Sequence, residues 1–185
     1  MGVQGGLNLT PDNIDSMGLD IKNKLGWTTG LKLGYVAGSA QDIVRPALEL
    51  EGFYAAFDRH YDAKFEDVNE TFKLRNRTFA YMANGIAKFN LGSFQPYLGA
   101  GAGYFTMKAK LSAQVDDIGQ FNEGSESRDG FAWQLLGGVD YYFTPTVSVF
   151  TEYKWLNCLI RNRDDFTGCG RLGQQLVSAG VRFHF

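Results

Sequence analysis

The chain closes on Val177-Ser178-Ala179-Gly180-Val181-Arg182-Phe183-His184-Phe185, a stretch that alternates apolar residues with small or polar ones. In a β-strand every second side chain points to the same face. One face here carries valine, alanine and phenylalanine, while the other carries serine, glycine, arginine and histidine. Two aromatic residues on one face of a terminal strand need an apolar solvent or a packed sheet to cover them. The stretch is therefore typical of a strand that crosses a membrane with one face against lipid.

The composition is compatible with a barrel of such strands. The chain has 185 residues, 23 glycines, 15% aromatic residues and a net charge of -2. Its length is that of one domain over residues 1–185, and its charge gives no support to nucleic-acid binding. The chain contains no run of about 18 apolar residues, so the sequence predicts no transmembrane helix. The mean hydropathy of -0.21 fits a membrane barrel, because half of each strand faces a polar interior.

The same alternation recurs along the chain. It predicts eight strands, near residues 2–9, 27–37, 44–58, 77–91, 96–109, 130–143, 146–157 and 174–185. Long polar segments (10–26, 59–76, 110–129 and 158–173) alternate with short ones (38–42, 92–94 and 144–145). The predicted fold class is therefore all-β: an eight-stranded antiparallel up-and-down transmembrane barrel, with long loops on one side and short turns and both chain ends on the periplasmic side.

The apolar face of the predicted strands carries no charge, as expected if a lysine or arginine at the bilayer midplane costs about 2 to 4 kcal/mol. Aromatic residues lie near both ends of this face, where the two membrane interfaces would be. The predicted girdle residues are Trp27, Tyr81, Trp133, Tyr153, Trp155, Tyr141 and Phe143. The alternative is a soluble lipocalin-like barrel with its apolar face inward. The many glycines of the other face suit a crowded barrel interior better than a solvent surface.

The opposite face of the predicted strands carries the charges. They are Lys32, Arg45, Glu49, Glu51, Lys88, Asp140, Glu152, Lys154 and Arg182, and Asn84, Gln134 and Ser178 lie between them. Side chains just fill the interior of an eight-stranded barrel, so charges there must pair or meet a large desolvation cost. We expect a salt-bridged lumen in which Glu49 and Glu51 pair with Lys88, Arg45 or Arg182. A conducting pore is the alternative.

Several short motifs occur in a characteristic order. They are Gly5-Gly6-Leu7-Asn8, Glu49-Leu50-Glu51-Gly52-Phe53-Tyr54, Met82-Ala83-Asn84-Gly85, Pro96-Tyr97-Leu98-Gly99-Ala100-Gly101-Ala102-Gly103-Tyr104, Leu136-Gly137-Gly138-Val139-Asp140-Tyr141-Tyr142-Phe143 and Gly180-Val181-Arg182-Phe183-His184-Phe185. With these motifs essentially the whole chain resembles the small outer-membrane barrels of the OmpA and Opa type, within the wider family of porin-like outer-membrane barrels.

The resemblance implies a location in the bacterial outer membrane, with an export signal peptide that this chain does not carry. It also implies that the barrel-assembly machinery reads Val181, Phe183 and Phe185 as its signal. Members of the family range from structural anchors to adhesins and complement-binding surface proteins, so activity does not follow from the fold. No peptidoglycan-binding domain follows Phe185, and an OmpA-like wall tether is therefore not expected.

Cys158 and Cys169 both fall in the last predicted loop. In an oxidising envelope we expect a disulfide between them, which would contribute roughly 3 kcal/mol by closing a loop of about 12 residues. A metal site is not expected there, because no histidine lies nearby in the sequence.

Catalysis needs a base beside a nucleophile or a pair of carboxylates placed for water. The two histidines, His60 and His184, offer neither: His60 lies near Asp58 and Asp62 without a serine, and His184 falls at the periplasmic end. The Asp116-Asp117 pair is weak evidence for a divalent cation. We expect no enzyme activity, cofactor or metal.

The sequence thus predicts a structural envelope protein, or one that acts through its surface loops in adhesion and partner binding. The expected partners are outer-membrane lipid and lipopolysaccharide, the barrel-assembly machinery, and host or envelope proteins that contact the loops. A narrow pore or carrier for small solutes, or a subunit of a larger envelope assembly, are the alternatives.

Overall fold

The computed structural model describes residues 1–9, 20–23, 26–39, 41–65, 68–115, 119–161 and 169–185, with side chains except in 20–23, 58–74, 109–126 and 160–172. The strands are β1 (Gly2–Asn8), β2 (Asp20–Asn23), β3 (Gly26–Val36), β4 (Val44–Phe65), β5 (Val68–Phe89), β6 (Phe94–Val115), β7 (Gly119–Thr144), β8 (Val147–Arg161) and β9 (Cys169–Phe183). The described part of the chain contains no helix long and apolar enough to cross a bilayer.

Eight of these strands form a closed barrel. Each pairs antiparallel with its neighbours in the order β1, β3, β4, β5, β6, β7, β8, β9, and the ring closes where β1 pairs with β9. At this seam Gly2 lies opposite Arg182, and Asn8 lies opposite Leu176. The short β2 adds to β4 beyond the end of β3. The predicted eight-stranded antiparallel barrel is confirmed.

The strands β4 to β7 are longer than their sequence pattern predicts. β4 continues to Phe65 and β5 starts at Val68, so residues 59–76 are mostly paired strand rather than loop. Residues 110–129 are likewise mostly strand, since β6 and β7 pair out to Val115 and Gly119. Polar side chains in these segments indicate loops by composition, but a backbone ladder needs only a partner strand and accepts polar residues on both faces. We call the end that carries these strand extensions the long-hairpin end, and the other end the short-turn end.

The short-turn end has tight connections. Gly38 and Gly92 adopt positive φ angles of 92° and 77°, a conformation that glycine accepts without steric cost. The carboxylate of Asp42 accepts a hydrogen bond from the Ser39 amide at 2.7 Å, which closes the first of these turns. Short turns fix the register of the strands that they join.

The two faces of the barrel wall follow the predicted alternation. The large apolar side chains of the outward phase are exposed or half-buried, among them Leu33, Leu50, Tyr81 and Phe131. Ala56, which the alternation places on the outward face, is 1% exposed and is therefore an exception. The adjacent Phe57 is half-buried.

Candidate functional site

Inward glycines make room in the lumen for large side chains. A Cβ at Gly138 would lie 2.6 Å from the Tyr97 hydroxyl oxygen, and a Cβ at Gly180 would lie 2.7 Å from the Phe150 ring. Tyr97 and Phe150 are both almost completely buried. The glycine-rich inner face is therefore the counterpart of the aromatic rings that fill the lumen.

Lys32 of β3 lies at the centre of the lumen. Its Nζ donates to Glu49 Oε1 at 2.8 Å and to Glu152 Oε1 at 2.9 Å. Lys154 of β8 pairs with Glu51 and lies 3.3 Å from Glu152 Oε1. The Lys32–Glu152 and Lys154–Glu51 contacts cross the barrel, because they join β3 and β4 to β8, which is not their neighbour in the wall.

Arg182 and Lys88 continue this network towards the short-turn end. The Arg182 guanidinium donates to Asp140 Oδ1 at 2.5 Å and to Glu49 Oε2 at 3.1 Å, and Lys88 Nζ lies 2.5 Å from Asp140 Oδ2. Arg182 also lies over the Phe150 ring, at 4.2 Å from its centroid. Such a cation–π contact offsets part of the solvation that a buried guanidinium loses.

Neutral polar side chains complete the network. Gln134 donates to Asn84 at 2.7 Å and to Glu51 at 3.2 Å, Gln4 donates to Glu51 at 2.5 Å, and the Tyr97 hydroxyl donates to Glu152 at 2.9 Å. The predicted inward residues Asn84, Gln134 and Ser178 all lie inside the barrel. Gln4 and Tyr97 were not among the predicted lumen residues, although strand alternation would have placed both inward.

Eight of the nine predicted lumen charges are buried together. We call these eight the charged layer: Lys32, Glu49, Glu51, Lys88, Asp140, Glu152, Lys154 and Arg182. Four cations meet four carboxylates there, so the layer is neutral in sum.

Of the pairs expected for Glu49 and Glu51, the structure contains Glu49 with Arg182, whereas Glu51 pairs with Lys154 and Lys88 pairs with Asp140. Arg45 is the predicted charge outside the charged layer, and its expected pairing with Glu49 or Glu51 is wrong. It is only half-buried, it lies opposite Lys88 in the register of β4 and β5, and within the described residues it makes no ion pair. Arg45 lies near the start of β4, at the barrel mouth. The glutamates of the charged layer that it could have paired with are already paired with Lys32, Lys154 and Arg182.

An apolar layer fills the lumen between the charged layer and the long-hairpin end. Its members are Phe53, Ala55, Ala80, Met82, Phe105, Met107, Ala132, Leu156, Cys158 and Leu176. The alanines leave space for the phenylalanine rings, as close packing requires. Buried polar side chains lie at the same level or nearer the long-hairpin end, among them Asn76, Thr78, Asn157 and Gln174.

The two cysteines do not form the predicted disulfide. Cys158 is a free thiol, 1% exposed, inside the apolar layer. In the register of β8 and β9, Cys158 lies opposite Leu172 while Cys169 lies opposite Arg161. This offset of three residues is about 10 Å along a strand, too far for the usual disulfide Cα separation of at most about 7 Å. The prediction is wrong because residues 158–161 and 169–173 belong to strands rather than to a loop.

The remaining predicted residues lie at the rims. The girdle residues Trp133 and Trp155 contact each other edge-to-face, with centroids 5.6 Å apart, and Tyr141 and Phe143 do the same at 5.1 Å. Trp27, Tyr81 and Tyr153 are exposed on the outward face.

At the chain terminus, Phe183 and Phe185 of the predicted assembly signal are exposed and Val181 is half-buried. The His184 ring accepts or donates a 2.9 Å hydrogen bond with the Ser148 hydroxyl. The His60 side chain and the Asp116-Asp117 pair lie outside what the structure describes. Among the described residues, no group of three or more His, Cys, Asp or Glu side chains could hold a metal ion.

Comparison with known proteins gives the same architecture. Residues 1–185 match the family model described as outer membrane protein beta-barrel domain. The chain is 30% identical over 93 residues to the outer membrane protein PagN of Salmonella typhimurium, and this match covers 50% of the chain but only 39% of PagN.

Among solved structures, neisserial surface protein A is similar with a TM-score of 0.50 at 19% identity, covering 100% of this chain and 94% of that one. Ail, the attachment invasion locus protein of Yersinia pestis, is similar with a TM-score of 0.49 at 15% identity, covering 100% and 95%. The likeness to neisserial surface protein A concerns the fold alone. Because the family model spans the whole chain, this protein belongs to the outer membrane protein beta-barrel domain family, and it lies in the bacterial outer membrane.

Proposed function

We propose that this protein is a non-enzymatic, non-conducting outer-membrane barrel that acts as an envelope component and presents its strand extensions to partners outside the cell. The proposal rests on the contrast between the lumen of the barrel and the strands that extend beyond the membrane. The lumen is filled with paired charges and an apolar layer, whereas β4 to β7 continue far beyond the length that a membrane needs.

The filled lumen argues against the alternative of a narrow pore. The charged-layer side chains are at most about a tenth exposed and their carboxylates are held by lysine, arginine, glutamine and tyrosine donors. Opening a water path would break several of these contacts and leave buried charges without partners, which costs about 3 to 5 kcal/mol for each broken pair. The charged layer is therefore better suited to close the lumen and stabilise the barrel than to open as a gate.

The strand extensions supply the contact surface. β4, β5 and β6 have 22 residues each and β7 has 26. A tilted strand crosses the hydrocarbon core with about 9 to 11 residues. About half of each strand therefore stands outside the core at the long-hairpin end, which faces the exterior in barrels of this kind. A hydrogen-bonded sheet holds its side chains in place better than a mobile loop does, which lowers the ordering cost of binding.

The partners that we propose follow from this placement. They are lipid and lipopolysaccharide around the barrel wall, the barrel-assembly machinery, which would read Val181, Phe183 and Phe185, and host or envelope proteins at the strand extensions. No cofactor is part of the proposal.

The adhesion role is tested by shortening one hairpin. Arg59 pairs with Leu74, so replacing residues 60–73 by a two-residue Asn-Gly turn leaves the β4–β5 ladder in register. Bacteria that display the shortened barrel should lose most of their adherence to cultured epithelial cells. The control replaces residues 111–124 between Lys110 and Ser125 of β6 and β7 and shows whether one hairpin or both carry the contact. Equal adherence of wild type and both shortened barrels would refute the role, provided that all three fold.

The pore alternative is tested by planar-bilayer recording of the purified barrel. We expect no unitary conductance steps above those of a detergent-only control. Reproducible steps with a defined ion selectivity would establish the pore instead and would exclude the filled-lumen proposal.

A further inference from the structure

A cavity lies between the charged layer and the short-turn end of the barrel. Lys32, Glu49, Lys88 and Arg182 of the charged layer line its inner part, and His184 borders it at the mouth. Its open volume is about 50 Å³, and a bound water needs about 10 to 15 Å³ on the same measure. The cavity therefore has room for about four waters, or for a small organic ion of that size.

Another part of the cavity wall is apolar. Val36, Ala47 and Ile86 line it. Ala47 and Ile86 belong to a buried cluster with Tyr97 and Leu136, and Val36 packs against this cluster. The cavity thus combines charged groups with a fixed hydrocarbon surface, the combination that sites for small organic molecules use.

Arg45 is the cation beside this cavity that lacks a carboxylate partner. It stands on the inward face of β4, two residues before Ala47, and lies opposite Lys88 of β5. Its Nε is buried without a hydrogen-bond acceptor, and a buried donor without an acceptor costs free energy. Asp42 precedes it in the chain, but that carboxylate accepts a hydrogen bond from the Ser39 amide. Among the residues that the structure describes, none forms an ion pair with Arg45.

This arginine makes the charge at the short-turn end of the lumen unequal. The four cations and four carboxylates of the charged layer cancel, so Arg45 adds one positive charge in excess. His184 supplies no negative charge: its ring shares a hydrogen bond with the Ser148 hydroxyl and lies 4.8 Å from the Tyr142 ring. A single anion beside Arg45 and Lys88 would balance the charge and give the buried Nε an acceptor.

We propose that this cavity binds a small free carboxylate with a short apolar body, which enters from the periplasm. The planar guanidinium of Arg45 offers a carboxylate two parallel N–H donors, and Val36, Ala47 and Ile86 contact the apolar body. Short turns face the periplasm in barrels of this kind. The charged layer closes the inner end of the cavity, so the ligand binds without crossing the membrane. This site goes beyond the envelope role proposed above.

The test uses the whole purified barrel in nonionic micelles, with propionate as the probe and the methyl groups of Val36, Ala47 and Ile86 labelled for NMR. Propionate should shift these methyl resonances in a saturable way, whereas propionamide, which has the same shape without the charge, should not. Arg45→Gln should weaken propionate binding at least ten-fold, and Arg45→Lys should retain most of it. The matched control Arg75→Gln removes an exposed arginine at the long-hairpin end and should bind as wild type does.

Heat-modifiable gel mobility shows that each variant is folded. Absence of a saturable shift in wild type, equal shifts with propionamide, or unchanged affinity in Arg45→Gln would each overturn the proposal. Inorganic phosphate at equal concentration should not displace propionate, and displacement would overturn the assignment of a carboxylate. The adhesion test changes only the long-hairpin end and the conductance test reports on the whole lumen, so failure of this site and failure of the envelope role are separable results.

Discussion

Lys32 shows, at the level of a single residue, how the lumen is stabilised. It is 2% exposed and contacts Glu49 and Glu152 from two different strands. A buried ion pair contributes little net free energy compared with a well-packed apolar pair, but removing one partner leaves an unpaired charge and is strongly destabilising. The charged layer is therefore sensitive to single substitutions and tolerant of paired ones.

Lys32→Met should lower the free energy of unfolding by about 3 to 5 kcal/mol, because Glu49 and Glu152 lose their shared cation. Urea unfolding in phospholipid vesicles, followed by tryptophan fluorescence, measures the change. Arg45→Met is the control, and we expect an effect below about 1 kcal/mol because a half-exposed arginine at the barrel mouth contributes little. The double variant Lys32→Met/Glu152→Gln should recover part of the loss. Equal effects of Lys32→Met and Arg45→Met would contradict the charged layer as a stabilising unit.

Cys158 gives a second prediction for an individual side chain. In the variant Cys169→Ser, the Cys158 thiol should not react with a polar maleimide while the barrel is folded, because it is buried in the apolar layer. It should react fully after the protein is boiled in SDS. If unfolded wild-type protein shows no thiol without a reductant, the two cysteines are joined and the free-thiol assignment is wrong.

Among the strands, β1 is the one that closes the ring. Gly5 and Gly6 are neighbours in β1 but face different surroundings. A Cβ at Gly6 would collide with the Val177 carbonyl oxygen and lie 2.6 Å from Ser178 Cα, whereas a Cβ at Gly5 would lie 4.0 Å from the Thr28 carbonyl oxygen. The seam between β1 and β9 therefore tolerates a side chain at one position and not at the next.

Gly6→Ala should destabilise the barrel by about 1 to 3 kcal/mol, the usual cost of overpacking, and should lower the yield of folded protein. Gly5→Ala, one residue away, should leave both unchanged. The fraction of heat-modifiable protein after refolding into detergent measures the yield. Similar yields for the two variants would show that β9 shifts freely and that the seam is not tightly packed.

For the molecule as a whole, the outward face decides which solvent the barrel needs. Leu31, Leu33, Leu48, Leu50 and Leu98 are each more than half exposed around the middle of the wall. An apolar band of this extent is far larger than the exposed patches of soluble monomers. Hydrocarbon must cover it.

We therefore predict that the chain refolds to a β-rich, heat-modifiable form in micelles or vesicles and aggregates in plain buffer. Far-ultraviolet circular dichroism and light scattering distinguish the two outcomes. A monodisperse, folded protein in buffer without amphiphile would show that the outward face is not a lipid-facing surface.

The barrel and the two faces of its wall follow from the amino-acid sequence alone. Period-2 alternation assigns each residue to a face, and the exclusion of charge from lipid fixes which face is outward. These two rules predict Lys32, Glu152 and Arg182 inside and Tyr81 and Phe131 outside, and all five lie where predicted. The prediction succeeds because both rules depend only on the residues of a single strand and not on its partner strands.

The pairing of the charges and the length of the strands depend instead on contacts between strands. Lys154 contacts Glu51, which is 103 residues away in the chain, because their two strands face each other across the lumen. The alternation within either strand cannot predict which residue of the other strand it will contact. Arg45 stays outside the charged layer because Asp140 and the glutamates are already paired with other cations. The strand extensions of β4 to β7 arise from backbone pairing between neighbouring strands of the sheet, which continues beyond the lipid and does not depend on the polar composition that suggested loops.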